Sequence, residues 1–383
     1  MRKVIRLTWN QVLSRRLARH GLQSPLAASP ADATAAMCGA HAQVLTAAEW
    51  SVGLRLAHSS RAEVQRALWE EHSLIKTIGP RGTVHLLPAK DLSWWTGALS
   101  ALPNEGDQFA DGMRLTAPQR DEVVEVIAEA LLEAELTVDE LHAAVLARTG
   151  SWAADLVIPA FQTYWPRWRQ AIGSAAYRGV LCFGPNRGRN VTYTNPRRWL
   201  PKLKPARAGL RLLLQQYLYA YGPATPQHFA RWLAAPPRWA EELFQISKDD
   251  LQPVMMDDVL AWVSAGDARF LDEKPRGVRL LPYFDAYAVG SHPRQWLFPG
   301  RAAERAMARG QAGNFPVLLI DGVVAGVWHQ KHSGRNLHLS VESLGKLTAA
   351  QKRELEGQVA RLGEFMDAQT KLTVGKVSID AHA

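Results

Sequence analysis

"TIGPRGTVHLLP" spans Thr77 to Pro88, and the fold turns on how it is read. Pro80, Arg81 and Gly82 supply a turn. On either side lie Leu74–Ile78 and Thr83–Leu87, with the β-branched and large apolar residues that strands favour. The spacing predicts a β-hairpin with an arginine at its tip. The figure recurs along the chain. "CFGPNRGRNVTY" (182–193) holds Pro185-Asn186-Arg187-Gly188 between Val180–Phe183 and Val191–Thr194. "EKPRGVRLLP" (273–282) holds Pro275-Arg276-Gly277 between Phe270–Leu271 and Val278–Leu281. Each follows helix-rich sequence, which is the order of a winged helix, where a hairpin wing behind a helical core can lie along a nucleic-acid backbone. Unrelated hairpins are the other reading, since Pro and Gly are common turn residues. The shared arginine and spacing favour a repeat.

Helix starts are written as Ser/Thr-x-x-Glu/Gln capping boxes at Thr8, Thr46, Ser60, Thr116, Thr137 and Thr348. Thr225-Pro226 adds an N-cap followed by proline at the first helical position. The C-terminal part differs. "FPVLLIDGVVAGVW" (315–328) reads as strand, Asp321-Gly322 turn, strand. Further strands are expected at Asn336–Val341 and Lys371–Ile379, with a helix after Thr348. The expected class is α+β: winged-helix motifs at 1–115, 116–205 and 206–299, then a β-rich, barrel-like domain at 300–383.

The chain has 383 residues, 47% hydrophobic and 21% charged, which indicates a globular protein with sizeable cores. No apolar run is long enough to span a membrane, and Met1–Arg6 lacks the h-region of a secretory signal. Cys38 and Cys182 are too few for a disulfide framework or a zinc knuckle, so a reducing cytoplasm is the expected compartment. The net charge of +9 favours a polyanionic partner. Arg81, Arg187, Arg189 and Asn190 sit on predicted hairpin tips and are candidates for phosphate contact. In "YWPRWRQ" (164–170) the aromatics either stack on bases or belong to the core and pack under arginine stems.

Motifs for nucleotide loops and nucleophile elbows are missing from the sequence. His329 and His332 have no cysteine or carboxylate at ligand spacing, so neither a metal nor a cofactor is expected. By elimination, attention falls on His41 and Gln43 in "CGAHAQVLTAAEW" (38–50). On an extended approach to a helix, residues i and i+2 point the same way and can hold one water. The alternative is a histidine that satisfies a core backbone group and a glutamine at the surface.

"CGAHAQVLTAAEWSVGLR", "GPRGTVHLL", "LCFGPNRGRNVTYTNPRRWL", "YGPATPQHFARWL" and "LLPYFDAYAVG" occur in this order over most of the chain. Together they resemble the AlkZ/YcaQ-like winged-helix DNA glycosylases. The resemblance implies three tandem winged-helix motifs and a C-terminal β-barrel. It implies removal of N7-alkylated bases from double-stranded DNA, bulky or cross-linked ones included. With no lysine in the motif to form a Schiff base, a monofunctional hydrolase is expected, acting as a monomer. The family's Gln-hydrophobic-Gln motif falls on His41-Ala42-Gln43: Gln43 matches and His41 departs. A non-catalytic winged-helix DNA-binding protein or regulator is the rival class, in which the pair would only pack.

Overall fold

The structure is a computed structural model that describes residues 4–26, 28–103, 110, 112–160, 162–378 and 380–382. The chain opens with β1 (Ile5–Leu7) and α1 (Trp9–Arg19), the latter started by the Thr8–Gln11 capping box. Then come α2 (Pro30–Ala36), the two-residue strand β2 (Ala40–His41), α3 (Leu45–Gly53) and α4 (Arg61–Trp69). The first hairpin is β3 (Leu74–Ile78) and β4 (Val84–Pro88), in antiparallel register from Ile78↔Val84 outward. Its tip turns on Arg81 and Gly82, both at positive φ.

Helix α5 (Leu92–Ser100) precedes α6 (Ala117–Leu132), β5 (Leu136–Thr137) and α7 (Val138–Leu146). Capping boxes at Thr116 and Thr137 start α6 and α7. A hairpin not expected from the sequence, β6 (Leu156–Ala160) and β7 (Thr163–Pro166), comes before α8 (Ile172–Tyr177). Then β8 (Cys182–Phe183) and β9 (Thr192–Thr194) pair, and β5 joins them in the order β5-β9-β8. Arg187 and Asn190 exchange backbone hydrogen bonds of 3.0 and 3.1 Å. Gly188 takes the positive φ that a II′-type turn requires at its first central position.

Helices α9 (Gly209–Tyr221), α10 (Pro226–Leu233) and α11 (Pro237–Ile246) lead to β10 (Leu251–Met256) and β11 (Val259–Ser264). This hairpin corrects the reading of "EKPRGVRLLP". The two-residue turn is Asp257-Asp258, both at positive φ, so its tip is acidic. Aspartate is among the few non-glycine residues that visit this region at modest cost. The stretch before Pro275 has no strand. Its backbone is held as irregular chain against α1 by Ser14 Oγ to the Glu273 carbonyl (2.5 Å) and Arg15 to the Arg269 carbonyl (2.9 Å). Val278–Leu281 instead becomes β12, the edge of the C-terminal sheet.

After the short helices α12 (Ala286–Gly290), α13 (Arg294–Leu297) and α14 (Arg301–Ala306) come β13 (Val317–Ile320), β14 (Val323–Ser333) and β15 (Asn336–Ser343). The chain closes with α15 (Ala349–Met366) and β16 (Gln369–Val374). Asp321 and Gly322, both at positive φ, make the expected tight turn. Strand β16 ends before the expected limit, and Ile379 lies outside the described residues. The sheet order is β12-β13-β14-β15-β16, antiparallel except for the parallel pair β15–β16. Helix α15 touches both β12 and β16, the two edges. The sheet curls into a half-barrel, with α15 against both of its edges.

Contacts divide the chain into two compact units: 1–67, 214–233 and 237–383, and 68–213 with 234–236. In the second, Val123, Ile127 and Leu131 of α6 meet Leu141, Trp168 and Ala175 in a core shielded from water. In the first, β1 runs parallel to β10, and Leu7, Val12, Val254 and Val263 close a small core. Among the described residues, no helix is long and apolar enough to cross a membrane.

Candidate active site

Helix α2 ends in a Schellman motif. Cys38, at φ +58, follows the C-cap Met37, and Gly39 N–H bonds to the Thr34 carbonyl at 3.0 Å. The reversal throws the next residues into extended conformation, and Ala40 and Ala42 are fully buried. His41 is 8% exposed, whereas Gln43 is exposed and lies in a bend. The strand stops at His41, so the pleat alone does not set how His41 and Gln43 face each other.

Helix α3 begins at Leu45, two residues earlier than its capping box predicts. Val44 is the N-cap and no side chain caps the first turn. The Thr46…Glu49 box does not form because Glu49 is drawn inward. Its carboxylate is fully buried and accepts from Arg61 Nε at 2.6 Å and Gln65 Nε2 at 3.0 Å. A charge-assisted pair of this kind outweighs one backbone cap. Thr46 is left exposed on the first turn.

The His41 ring stacks on Phe284, centroids 4.7 Å apart and planes 25° from parallel. Phe284 sits at φ +56 in the loop after β12, its N–H bonded to the Gly313 carbonyl at 2.8 Å. The next residue anchors that loop. Asp285 is fully buried and takes Arg55 at 2.8 and 2.9 Å and Ser51 Oγ at 2.6 Å, and it accepts the Tyr287 N–H at 2.9 Å. Burial alone would raise the Asp285 carboxyl, but the Arg55 guanidinium and these hydrogen bonds hold it below the usual carboxylate range. Ser51 and Arg55 belong to α3 and its C-terminal end, so one buried ion pair ties the Phe284 loop to the helix that His41 and Gln43 lead into. Phe284 was not singled out in the sequence, although it lies within "LLPYFDAYAVG"; nothing local marks a phenylalanine for a left-handed conformation.

The basic candidates lie on hairpin tips in the second unit. Arg81 is half-buried on the β3–β4 tip. Arg187 is engaged: it bonds Glu140 at 2.9 Å and also the Glu135 carbonyl. Arg189 and Asn190 are exposed beyond it. Of the "YWPRWRQ" aromatics, Tyr164 is exposed, and the two tryptophans divide as core and arginine packing. Trp168 is fully buried and donates to His142 at 2.9 Å, while Trp165, 43% exposed, lies under the Arg169 guanidinium at 4.0 Å. Both cysteines are buried, and burial pushes the Cys182 thiol up. No group of His, Cys, Asp and Glu among the described residues could hold a metal ion.

The model of the family described as "DNA glycosylase AlkZ-like" matches residues 34–365, and the chain belongs to that family. It is 31% identical over 338 residues to a Streptomyces sahachiroi protein named "Interstrand DNA cross-link repair glycosylase", covering 85% of this chain and 88% of that one. The solved structure of S. sahachiroi DNA glycosylase AlkZ superposes with a TM-score of 0.79 at 27% identity, covering 97% of this chain and all of that one.

Proposed function

We propose that this DNA glycosylase hydrolyses the N-glycosidic bond of N7-alkylated purines in duplex DNA, with bulky adducts and cross-links among its substrates, and that His41 and Gln43 carry the reaction. The observation behind it is the His41-Ala42-Gln43 segment, set between a Schellman turn and α3 and braced by Phe284. The reading draws support from the cross-link repair relative.

N7-alkylation puts a positive charge on guanine, so the departing base needs no strong acid. The Gln43 amide oxygen accepts one hydrogen of a water and turns a lone pair toward the anomeric carbon. The water oxygen bonds to C1′ as the C1′–N9 bond breaks, and that electron pair neutralises the charged ring. Gln43 and neutral His41 stabilise the oxocarbenium-like sugar electrostatically, and the water proton passes to His41 or to solvent. No lysine occurs in 38–55 to form a Schiff base, so the product is an abasic site and not a cut strand.

On this reading, 1–115, 116–205 and 206–299 are winged-helix segments and 300–383 is the barrel-like domain. The β8–β9 tip contacts phosphate through Arg189 and Asn190, with Arg187 trading Glu140 for phosphate, and Arg81 does the same on the first hairpin. The enzyme acts as a cytoplasmic monomer. A duplex containing one 7-methylguanine, incubated with protein and then treated with alkali, tests the proposal. Cleavage at the lesion after alkali, and none before it, is expected. An intact strand under both treatments, repeated on a bulkier N7 adduct, refutes the reading.

A further inference from the structure

A cavity of about 180 Å³ opens beside the candidate site, wholly within the first unit. A single water needs roughly 10–15 Å³ on the same measure, so there is room for a bicyclic ring. Two of its walls adjoin the site in the chain. Val44 follows Gln43, and Tyr283 precedes Phe284, the ring stacked on His41.

The walls are rigid and aromatic. Trp50 Nε1 donates to the Leu280 carbonyl at 3.0 Å and Trp328 Nε1 to the Leu281 carbonyl at 2.8 Å. Both indoles are thus pinned by β12, with their N–H groups spent and only apolar surface left for the cavity. Tyr283 is half-buried, and its ring makes an edge contact with His382 at 5.4 Å. The cavity also holds one polar group without an assignment. Gln330 lines it, and its Oε1 is buried with no hydrogen bond from the described residues. Leaving a buried amide oxygen unmatched costs about 1–3 kcal/mol, so its place here calls for a ligand that donates to it. Because β14 places Gln330 two residues after Trp328, on the same face of the strand, the acceptor and an aromatic wall address one guest.

We propose that this cavity binds a planar heteroaromatic base that presents N–H groups along its edge, namely the purine of a small, untethered lesion such as 7-methylguanine, with Gln330 as acceptor and Tyr283, Trp50 and Trp328 as walls. The inference rests on the glycosylase reading of His41 and Gln43 and adds the seat of the base. A flat ring without N–H groups would fill the same space but leave Gln330 unmatched.

The test uses the whole chain and free 7-methylguanine, followed by calorimetry and by intrinsic tryptophan fluorescence, with quinoline as the bicyclic ring lacking N–H. The wild type is expected to bind 7-methylguanine, and Gln330→Leu to weaken it about tenfold while leaving quinoline unchanged or tighter. Thr46→Trp, at an exposed lining position, should block both. Melting curves check that each variant is folded. No binding of 7-methylguanine at millimolar concentration, or equal binding by wild type, Gln330→Leu and Thr46→Trp, overturns the proposal. Alkali-revealed excision is measured in parallel. Binding of the base without excision would refute the catalytic reading alone, and excision without binding of the base would refute the cavity assignment alone.

Discussion

Phe284 holds its left-handed conformation at a cost of about 1–2 kcal/mol. Such strain persists where neighbours over-determine it, and here Asp285 does so from the adjacent position. Asp285→Asn would leave the buried Arg55 guanidinium without its counter-charge. A loss of about 3–5 kcal/mol is expected, read by urea unfolding; a loss under 1 kcal/mol would mean that the pair does not anchor the loop. Gln43→Ala is expected to slow 7-methylguanine release by about a hundredfold, with DNA affinity and melting temperature near wild type, because Gln43 is exposed. His41→Ala should cost a comparable or smaller factor. His41→Gln should keep most of the rate if the side chain only positions water. Wild-type rates in the double alanine variant, under single-turnover conditions, would remove the pair from the mechanism.

Among the elements, the hairpin tips carry the DNA prediction. Arg189 is exposed on the II′ turn, whereas Arg187 is already paired with Glu140. Each phosphate contact contributes about 0.9 to the slope of log affinity against log salt. Arg189→Ala should therefore flatten that slope by about one and weaken binding to all duplexes alike, measured by anisotropy between low and moderate salt. Arg187→Ala should do less, because its ion pair with Glu140 is lost from the free protein as well. An unchanged slope in the double variant would take this hairpin off the DNA. The acidic Asp257-Asp258 tip of β10–β11 is unsuited to the same role. The capping boxes show how far local signals reach. Those at Thr8, Thr116, Thr137 and Thr348 form as written. The one at Thr46 loses to a buried ion pair whose cation, Arg61, stands twelve residues away in the chain.

At the scale of the molecule, His20, His228 and His292 make stability depend on pH. Burial, with Arg55 nearby, pushes His20 down to about 3; burial, with Arg16, pushes His228 down to about 4. His292, stacked on His228 at 5.2 Å, is lowered by burial and Arg294. His228 Nδ1 also accepts the Thr225 N–H at 3.3 Å, which only the neutral ring allows. Unfolded histidine takes up a proton below about 6.5. The folded protein does not until its own lower values are reached. The stabilisation is therefore complete above about 6.5 and is lost as pH falls toward 4. Each such histidine removes about 1.4 kcal/mol per pH unit in that window. Urea unfolding at pH 7.5, 6.0 and 5.0 should show a steep decline, and a flat profile would contradict it.

Most helix starts, the first two hairpins and the Asp321-Gly322 turn are legible in the sequence, because caps, turns and alternation act within a few residues. The class α+β and the family follow from motifs of the same local kind. Other features rest on partners far along the chain. Val278–Leu281 reads equally well as a wing strand or a sheet edge, and pairing with Val317–Ile320 decides it. Glu49 could cap its helix or bind Arg61, and burial decides that. His41 meets Phe284 across more than two hundred residues, and the cavity collects α3, the loop after β12, β14 and α15. Which residues share a site depends on closing those long loops, and that choice is made by the packing of the whole unit rather than by any short stretch.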